Sequence, residues 1–311
     1  MPKILISDSI STIAEEIFKT NNIEFDVKTD LKPNELKETI HLYDGLVVRS
    51  ATKATKEIIL SAKKLKIIGR AGAGVDNIDL VTAKENNIIV MNTPGGNTNA
   101  TAEHTLSLLM SIYRNIPQAN EGTHKGLWEK KKFKGLELRG KKLGIIGFGN
   151  VGVRFSEIAI SLGMDVSVFS NSFNSRKGDY PNIKSIDFNA LIEESDIISF
   201  HCKPPKDGKP IVKYNELKKM KKNTVLINTA RGNLIDELDL KSALDNNIIK
   251  GAALDVFSNE PAKENILFGT KNLILTPHIA ASTEEAQIVV AEQIAKQISD
   301  YFNKGEIINS V

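Results

Sequence analysis

Residues 142–152 read Lys142-Leu143-Gly144-Ile145-Ile146-Gly147-Phe148-Gly149-Asn150-Val151-Gly152 and decide the fold. An apolar run ends in Gly-x-Gly-x-x-Gly, and residues 153–160 continue with helical spacing, which predicts a strand, a tight turn and a helix. Gly147 permits the turn, Gly149 lets the backbone approach a pyrophosphate, and Gly152 lets the helix pack against the strand. An isolated motif of this kind is often an ordinary glycine turn, but the flanking strand and helix favour dinucleotide binding.

Composition places the chain among ordinary globular proteins and excludes several functional classes. The 311 residues are 41% hydrophobic and 25% charged, enough for two domains with their own cores. The net charge of +3 and the interspersed Lys and Glu give no reason to expect a nucleic-acid partner. Cys202 is the single cysteine, no run is long enough to span a membrane, and the five histidines lack metal-ligand spacing. We therefore expect a cytoplasmic protein without disulfide, metal or membrane partner.

Strand and helix patterns alternate on both sides of the glycine motif. Strands are predicted at 3–7, 23–27, 45–49, 65–68 and 88–91, and again at 143–146, 165–169, 197–200, 224–228, 251–255 and 273–276. This rhythm predicts an α/β protein with two doubly wound parallel sheets, Rossmann-like or flavodoxin-like, whose ligands bind at the carboxyl ends of the strands.

Helical patterns mark the two places where the chain would pass between the domains. A long helix is predicted from about Ala100 to Ile112; Pro117 does not clearly end the helical pattern, which is expected to resume to about Lys125. The final amphipathic helix, 283–302, is assigned to the first domain because such chains often cross back at their end. We expect a substrate-binding domain of residues 1–98 plus 283–311 and a dinucleotide-binding domain of residues 99–282.

Several segments, in order along essentially the whole chain, together resemble the D-isomer-specific 2-hydroxyacid dehydrogenases. The segments that carry the resemblance are 47–53 (VVRSATK), 69–77 (GRAGAGVDN), 92–97 (NTPGGN), 128–135 (WEKKKFKG), the glycine motif, 228–232 (NTARG), 253–257 (ALDVF) with Glu260-Pro261, and 277–283 (PHIAAST). The resemblance implies an active site in a cleft between the two domains, with closure that expels water.

The resemblance implies Arg231, Glu260 and His278 as the catalytic set. His278 would take the hydroxyl proton, since its ordinary pKa lies near neutrality. Glu260 would bond the other ring nitrogen, and Arg231 would clamp the carboxylate of a 2-hydroxy acid. Taken singly, each of these residues is more often a surface or structural group; the three together favour catalysis.

The resemblance also implies a nicotinamide cofactor, and one departure leaves its identity open. The implied cofactor-binding residues are Gly147, Gly149, Asn150, Val151, Gly152, Ser170, Asn171, Cys202, Thr229, Ala230, Arg231, Asp255, His278, Ala280 and Ala281. Ser170 stands where NAD-preferring members carry an aspartate for the ribose 2′-hydroxyl, and Arg176 and Lys177 follow nearby. NAD is expected because serine can bond a ribose hydroxyl, and NADP is the alternative because no carboxylate would repel a 2′-phosphate.

The resemblance is strongest to members that act on a phosphorylated three-carbon acid. The substrate-binding residues that it implies are Arg49, Ser50, Lys53, Arg70, Gly72, Asn97, Lys130 and Lys131, with Lys130 or Lys131 reaching the phosphate bound by a second copy of the chain. The same lysines would be merely solvated in the simpler interpretation. The helix from Ala100 and the segment at Trp128 resemble the dimer-forming region of the family, so a homodimer is expected.

The expected reaction is oxidation of 3-phospho-D-glycerate to 3-phosphooxypyruvate, the entry to serine synthesis. Two alternatives remain: an NADP-linked glyoxylate or hydroxypyruvate reductase, favoured by Ser170, and a non-catalytic dinucleotide-sensing protein. The sequence stops at Val311, where longer members continue into regulatory domains, so feedback through such a domain is not expected.

Overall fold

A computed structural model describes residues 1–311, which divide into two compact units. Unit 1 comprises residues 1–97 and 282–311, and unit 2 comprises residues 98–281. Each unit has its own parallel sheet flanked by helices and its own hydrophobic core. The predicted fold class is therefore confirmed.

The regular elements alternate along the chain as the sequence pattern predicts. The strands are β1 (Lys3–Ile6), β2 (Glu24–Val27), β3 (Gly45–Val48), β4 (Ile67–Arg70), β5 (Ile89–Met91), β6 (Lys142–Ile146), β7 (Asp165–Phe169), β8 (Lys184–Ser185), β9 (Ile197–Phe200), β10 (Val225–Asn228), β11 (Gly251–Leu254) and β12 (Leu273–Leu275). The helices are α1 (Ile13–Thr20), α2 (Pro33–Thr39), α3 (Lys56–Ser61), α4 (Leu80–Glu85), α5 (Thr98–Arg114), α6 (Ile116–His124), α7 (Asn150–Ser161), α8 (Phe188–Glu194), α9 (Tyr214–Lys219), α10 (Glu237–Asp245) and α11 (Glu284–Lys304). None of the helices combines the length and apolar character that a membrane span requires.

Unit 1 has a five-stranded parallel sheet of order β2-β1-β3-β4-β5, the flavodoxin-like arrangement. The final helix α11 packs on this sheet. A Cβ atom built on Gly69 of β4 would lie 2.6 Å from Ile298 Cδ1 and 2.7 Å from Ile294 Cγ1. The absence of a side chain at Gly69 thus lets α11 approach the strand closely, and both isoleucines are fully buried there.

Unit 2 has a seven-stranded parallel sheet of order β12-β11-β10-β9-β6-β7-β8. The strand order reverses beside β6, which pairs with β9 on one side and with β7 on the other. A crevice at this switch point, outside the carboxyl ends of the strands, is where doubly wound sheets bind dinucleotides. The glycine motif follows β6 directly and so lies at that point.

Two local features of unit 2 differ from the sequence pattern. The two-residue edge strand β8 was not predicted, because Lys184 and Ser185 show neither apolar character nor alternation and pair only with β7. The long helical segment is interrupted at Asn115, whose φ of +54° ends α5, and α6 begins at the next residue with Pro117 in its first turn. Proline is tolerated there because the first N–H groups of a helix have no partner within it.

Candidate active site

The glycine motif forms a turn that has room for a dinucleotide pyrophosphate. Gly147 has a φ of +97°, and a Cβ atom there would lie 2.6 Å from the His201 carbonyl. A Cβ atom on Gly152 would lie 2.2 Å from the Gly147 carbonyl oxygen, so only glycine lets α7 approach the turn. Space beside Gly149 is open, with no atom within 4 Å of a Cβ built there. The turn is therefore tight where it touches the protein and open where a ligand would lie.

The N-terminus of α7 has no competing side chain. Gly149 is the N-cap and supplies no side-chain acceptor, so no cap hydrogen bond is made. The first N–H groups of the helix are consequently available to an anion, and the helix dipole favours a negative charge there. These features fit a pyrophosphate.

No carboxylate stands at the end of β7, where the ribose of a dinucleotide is expected. Ser170 and Ser172 hydroxyls lie 3.0 Å apart, and the Ser172 N–H donates to Ser170 Oγ at 3.3 Å. Asn171 between them is exposed. Cys202, after β9, packs beside Gly147, and burial raises the pKa of its thiol to about 11. The Cys202 thiol is therefore uncharged at physiological pH, and its side chain packs against the glycine turn.

The loop after β10 places Arg231. Asn228 accepts from the Ala230 N–H at 3.0 Å and donates to the Arg231 carbonyl at 2.8 Å. The Thr229 hydroxyl lies 2.9 Å from that of Thr105 on α5. Neighbouring Gly232 leaves no room for a side chain, since a Cβ atom there would overlap the Phe257 carbonyl carbon at 1.8 Å. Backbone constraints on both sides therefore fix the position from which Arg231 projects.

His278 and Glu260 form a hydrogen-bonded pair. His278 Nδ1 lies 2.6 Å from Glu260 Oε2, and Glu260 Oε1 accepts from the Phe257 N–H at 2.9 Å. The His278 side chain is 47% exposed, and the contact with Glu260 uses Nδ1 rather than Nε2. His278 also adopts a left-handed φ of +54°, an uncommon conformation for a non-glycine residue.

Asp255 anchors the loop that carries His278. It is fully buried and accepts from the Ile279 N–H at 2.9 Å, the Ala280 N–H at 2.8 Å and the Thr276 hydroxyl at 2.6 Å. His104 Nε2 on α5 lies 3.4 Å from the same carboxylate. Burial would raise the pKa of Asp255, but these hydrogen bonds outweigh it and hold the pKa below its ordinary value. The carboxylate is ionised and holds the backbone on the C-terminal side of His278.

The contact between His278 and Glu260 shifts the pKa values of both side chains. The hydrogen bond that His278 donates to Glu260 raises the pKa of His278; burial and the charge of Arg231 act in the opposite direction. Burial would raise the pKa of Glu260, but the bonds to His278 and Phe257 lower it overall. The structure thus brings Arg231, Glu260 and His278 together at the carboxyl edge of sheet β12-β11-β10, and the pair favours an imidazolium facing a carboxylate.

Three of the predicted substrate residues, Arg49, Ser50 and Lys53, follow β3 in unit 1, and Asp8 holds their loop. The 4% exposed Asp8 carboxylate accepts from the Arg49 N–H, the Thr52 N–H and the Thr52 hydroxyl, the last at 2.7 Å. Asn77 donates to the Arg49 carbonyl at 2.7 Å and to the Thr52 carbonyl at 2.6 Å. The sequence analysis missed Asp8 and Asn77. The signal for Asp8 was its position at the carboxyl end of β1, beside β3.

The remaining predicted substrate residues lie in different settings. Arg70 is the last residue of β4, and its Nη1 lies 1.4 Å from where a Cβ atom on Gly72 would be, so Gly72 (φ +142°) makes room for the guanidinium. Asn97 is half-buried and directly precedes α5. Lys130 and Lys131 are exposed beside Trp128, in a segment of unit 2.

The sequence of the chain is similar to those of known dehydrogenases. Residues 106–280 match the family described as D-isomer specific 2-hydroxyacid dehydrogenase, NAD binding domain. The chain is 41% identical over 297 residues to D-3-phosphoglycerate dehydrogenase of Archaeoglobus fulgidus, covering 95% of this chain and 56% of that protein. It thus spans about half the length of the curated relatives that it matches.

Solved structures with the same fold cover the whole chain. An acyclic imino acid reductase in complex with NADPH and D-Arg is 33% identical, with a TM-score of 0.88 over 99% of both chains. NAD⁺-bound 3-phosphoglycerate dehydrogenase of Entamoeba histolytica is 31% identical, with a TM-score of 0.84 over 100% of this chain and 98% of that one. A glyoxylate reductase from Paecilomyes thermophila is 28% identical, with a TM-score of 0.90 over 100% and 98%. With the glycine turn, the Arg231 loop and the His278–Glu260 pair, these matches show that the chain belongs to the D-isomer-specific 2-hydroxyacid dehydrogenase family.

Proposed function

We propose that this protein is a nicotinamide-dependent oxidoreductase of small 2-hydroxy acids and that 3-phospho-D-glycerate is its substrate. The observation that carries the proposal is the 2.6 Å contact between His278 Nδ1 and Glu260 Oε2 in a loop anchored by Asp255, with Arg231 close by. An acid–base imidazole next to a cation is what transfer of a hydride from a C–OH group requires. The similarity to phosphoglycerate dehydrogenases supports the choice of acid.

Each residue of the set has a definite task in this reaction. His278 Nε2 accepts the hydroxyl proton as the C–O bond becomes a carbonyl, and Glu260 stabilises the imidazolium that results. Arg231 binds the substrate carboxylate through two parallel N–H donors and polarises the carbonyl in the reverse direction. The bound dinucleotide supplies the hydride acceptor. In the reductive direction the His278 imidazolium returns its proton to the new hydroxyl oxygen.

Phosphate recognition is assigned to cations outside this set. Arg49 and Lys53 lie on the loop whose backbone Asp8 holds through the N–H groups of Arg49 and Thr52. Lys130 and Lys131 are exposed on unit 2 and would serve a second copy of the chain. A doubly charged phosphate needs such extra positive charge beyond a single carboxylate clamp.

A rate comparison tests the proposal directly. Initial rates would be measured with 3-phosphooxypyruvate, hydroxypyruvate and glyoxylate, each with NADH and with NADPH. We expect the highest kcat/KM with the phosphorylated acid and a loss of that preference in Arg49→Ala. Absence of turnover with every pair would contradict the proposal and favour the non-catalytic dinucleotide-binding alternative.

A second candidate function is reduction of glyoxylate or hydroxypyruvate. The fold shared with a glyoxylate reductase and the serine at position 170 favour it. In the same rate comparison this function would give comparable or higher kcat/KM for the unphosphorylated acids.

We further propose that the protein works as a homodimer. Three apolar side chains in and after α6 are unusually exposed: Ile116 (53%), Leu127 (49%) and Trp128 (86%). Exposed apolar groups clustered in one segment are typical of an interface. Light scattering should give twice the 34.2 kDa mass of the chain, and Trp128→Glu should lower that mass. A monomeric mass for the unchanged protein would contradict the proposal.

A further inference from the structure

The segment after β7 is pinned to the glycine turn by an aromatic cluster. Phe148, the variable residue of Gly-x-Gly, is fully buried and has its ring centroid 5.2 Å from that of Phe173 and 5.4 Å from that of Tyr180. The Tyr180 hydroxyl donates to Glu157 on α7 at 3.1 Å. Residues 173–180 are therefore held against the dinucleotide turn at both ends, although most of them are exposed.

Arg176 lies between these two anchors and reaches back to the turn. Its backbone N–H donates to the Phe173 carbonyl at 2.9 Å, which closes a short helical turn. Its guanidinium donates through Nη2 to Asn150 Oδ1 at 3.3 Å. Asn150 is the first residue of α7 and directly follows Gly149, where the pyrophosphate is expected. The guanidinium of a segment that follows β7 thus reaches the first residue of α7, next to the expected pyrophosphate position.

The charges around Arg176 leave it available to an anion. Glu157 accepts from Arg154 at 3.1 Å and from Tyr180, and exposed Asp179 follows in the same turn, but neither forms an ion pair with Arg176. Lys177 is exposed next to it. The hydroxyls of Ser170 and Ser172 complete the polar side of the segment. The segment after β7 therefore offers a cation and two hydroxyls, with no carboxylate at residues 170–172, and this combination suits a phosphate monoester.

We propose that Arg176, with Ser170 and Ser172, forms a subsite for the 2′-phosphate of a dinucleotide, so that the protein selects NADPH over NADH. The subsite deepens the proposed function and rests on its dinucleotide-binding part. NAD-preferring sites of this fold use a carboxylate that accepts a hydrogen bond from the ribose 2′-hydroxyl, and that carboxylate is missing at Ser170. The ribose 2′-hydroxyl of NADH therefore lacks its usual carboxylate acceptor, whereas the 2′-phosphate of NADPH would accept charge-assisted hydrogen bonds from Arg176.

Equilibrium binding tests the subsite without catalysis. Dissociation constants would be measured by fluorescence titration for NADPH and NADH, and by calorimetry for adenosine 2′,5′-bisphosphate and 5′-AMP. The unchanged protein should bind NADPH more tightly than NADH. Arg176→Ala should weaken NADPH by about tenfold to hundredfold, the effect of one charge-assisted hydrogen bond. NADH binding should change less than about twofold, because the rest of the site is untouched.

Two further variants complete the design. Lys177→Ala removes an adjacent exposed cation and should leave the NADPH preference in place. Ser170→Asp restores the missing carboxylate and should reverse the preference towards NADH. Tighter binding of NADH by the unchanged protein, or equal losses for both dinucleotides in Arg176→Ala, would overturn the subsite. Failure of every dinucleotide to bind would overturn it together with the proposed function. NADPH binding with no turnover of any 2-oxo acid would leave the subsite supported and reject only the proposed reaction.

Discussion

Two carboxylates fix His278 from different directions. Glu260 bonds the ring at Nδ1, while Asp255 accepts from the N–H groups of the two residues that follow His278. The left-handed backbone at His278 is maintained by these contacts rather than by local preference, since such a conformation is costly for a residue with a side chain. The imidazole is thereby positioned before any ligand binds.

Replacing Glu260 with glutamine should change the pH dependence of the reaction. In the proposed reaction, run in the reductive direction, the imidazolium of His278 is the proton donor, so the rate should fall as pH rises through its pKa. Glu260 raises that pKa, and Glu260→Gln should therefore move the decline to lower pH and reduce kcat by about a hundredfold or more. Full pH profiles of kcat measure both effects.

Glu264→Gln is the matched control, because Glu264 lies in the same loop and is exposed. Its profile should coincide with that of the unchanged protein. The variant His278→Ala, which lacks the imidazole, gives the kcat that remains without this acid–base group. A Glu260→Gln profile of unchanged shape would refute the coupling between the two side chains.

Asp8 should act on substrate affinity through the loop that it holds. Asp8→Asn replaces an acceptor with a donor that faces the N–H groups of Arg49 and Thr52, at a cost of about 1–3 kcal/mol in unfolding free energy. The loop would loosen, so KM for the phosphorylated acid should rise several-fold while kcat changes little. Steady-state kinetics measures KM and kcat, and urea unfolding measures the change in unfolding free energy. Asp30→Asn, at an exposed position of the same unit, should change neither; lost stability without a KM change would leave Asp8 a purely structural residue.

At the scale of elements, two glycines of the turn between β6 and α7 have different roles: Gly152 allows close packing, and Gly149 leaves space for a ligand. A Cβ atom on Gly152 meets backbone at 2.2 Å, so Gly152→Ala should force β6 and α7 apart and lower Tm by several degrees. Gly149 has open space and an ordinary extended backbone (φ −79°, ψ −166°), so Gly149→Ala should keep Tm but weaken dinucleotide binding about tenfold or more. Calorimetry and fluorescence titration distinguish the two; equal loss of Tm in both variants would contradict this division.

At the scale of the whole molecule, carboxyl groups that accept hydrogen bonds in the folded state should determine the pH below which the folded state loses stability. The hydrogen bond from Tyr43 lowers the pKa of Asp26, and burial of Asp196 and Asp255 is outweighed by hydrogen bonds that lower their pKa values. The unfolded chain then binds more protons than the folded one once pH falls below about 4–5, so stability is complete above that range and declines below it.

Scanning calorimetry between pH 7 and pH 3 measures this decline in Tm. Asp196→Asn should flatten the slope, because the carboxylate that accepts from the Lys142 N–H and from Lys221 can no longer titrate. A Tm that rises as the pH falls would contradict the assignment.

Much of the fold was predictable because its signals are local. The strands of both sheets alternate with helical periods of the right length, and the glycine motif specifies a turn that only glycine can adopt at Gly147 and Gly152. Lys184–Ser185 escaped prediction because an edge strand of two polar residues is formed by pairing with β7, not by its own sequence.

The candidate site was only partly predictable for the same physical reason. The sequence by itself determined the fold class and the glycine turn. It also predicted Arg231, Glu260 and His278 as a catalytic set, because they occur in recognisable segments. Asp8 and Asn77, which the sequence analysis missed, bond to groups 25–44 residues distant along the chain. Arg176 was noted in the sequence, but its hydrogen bond to Asn150 depends on a loop folded back onto α7. Only the tertiary structure decides such contacts, because packing of the sheets determines which distant polar groups lie within hydrogen-bonding distance.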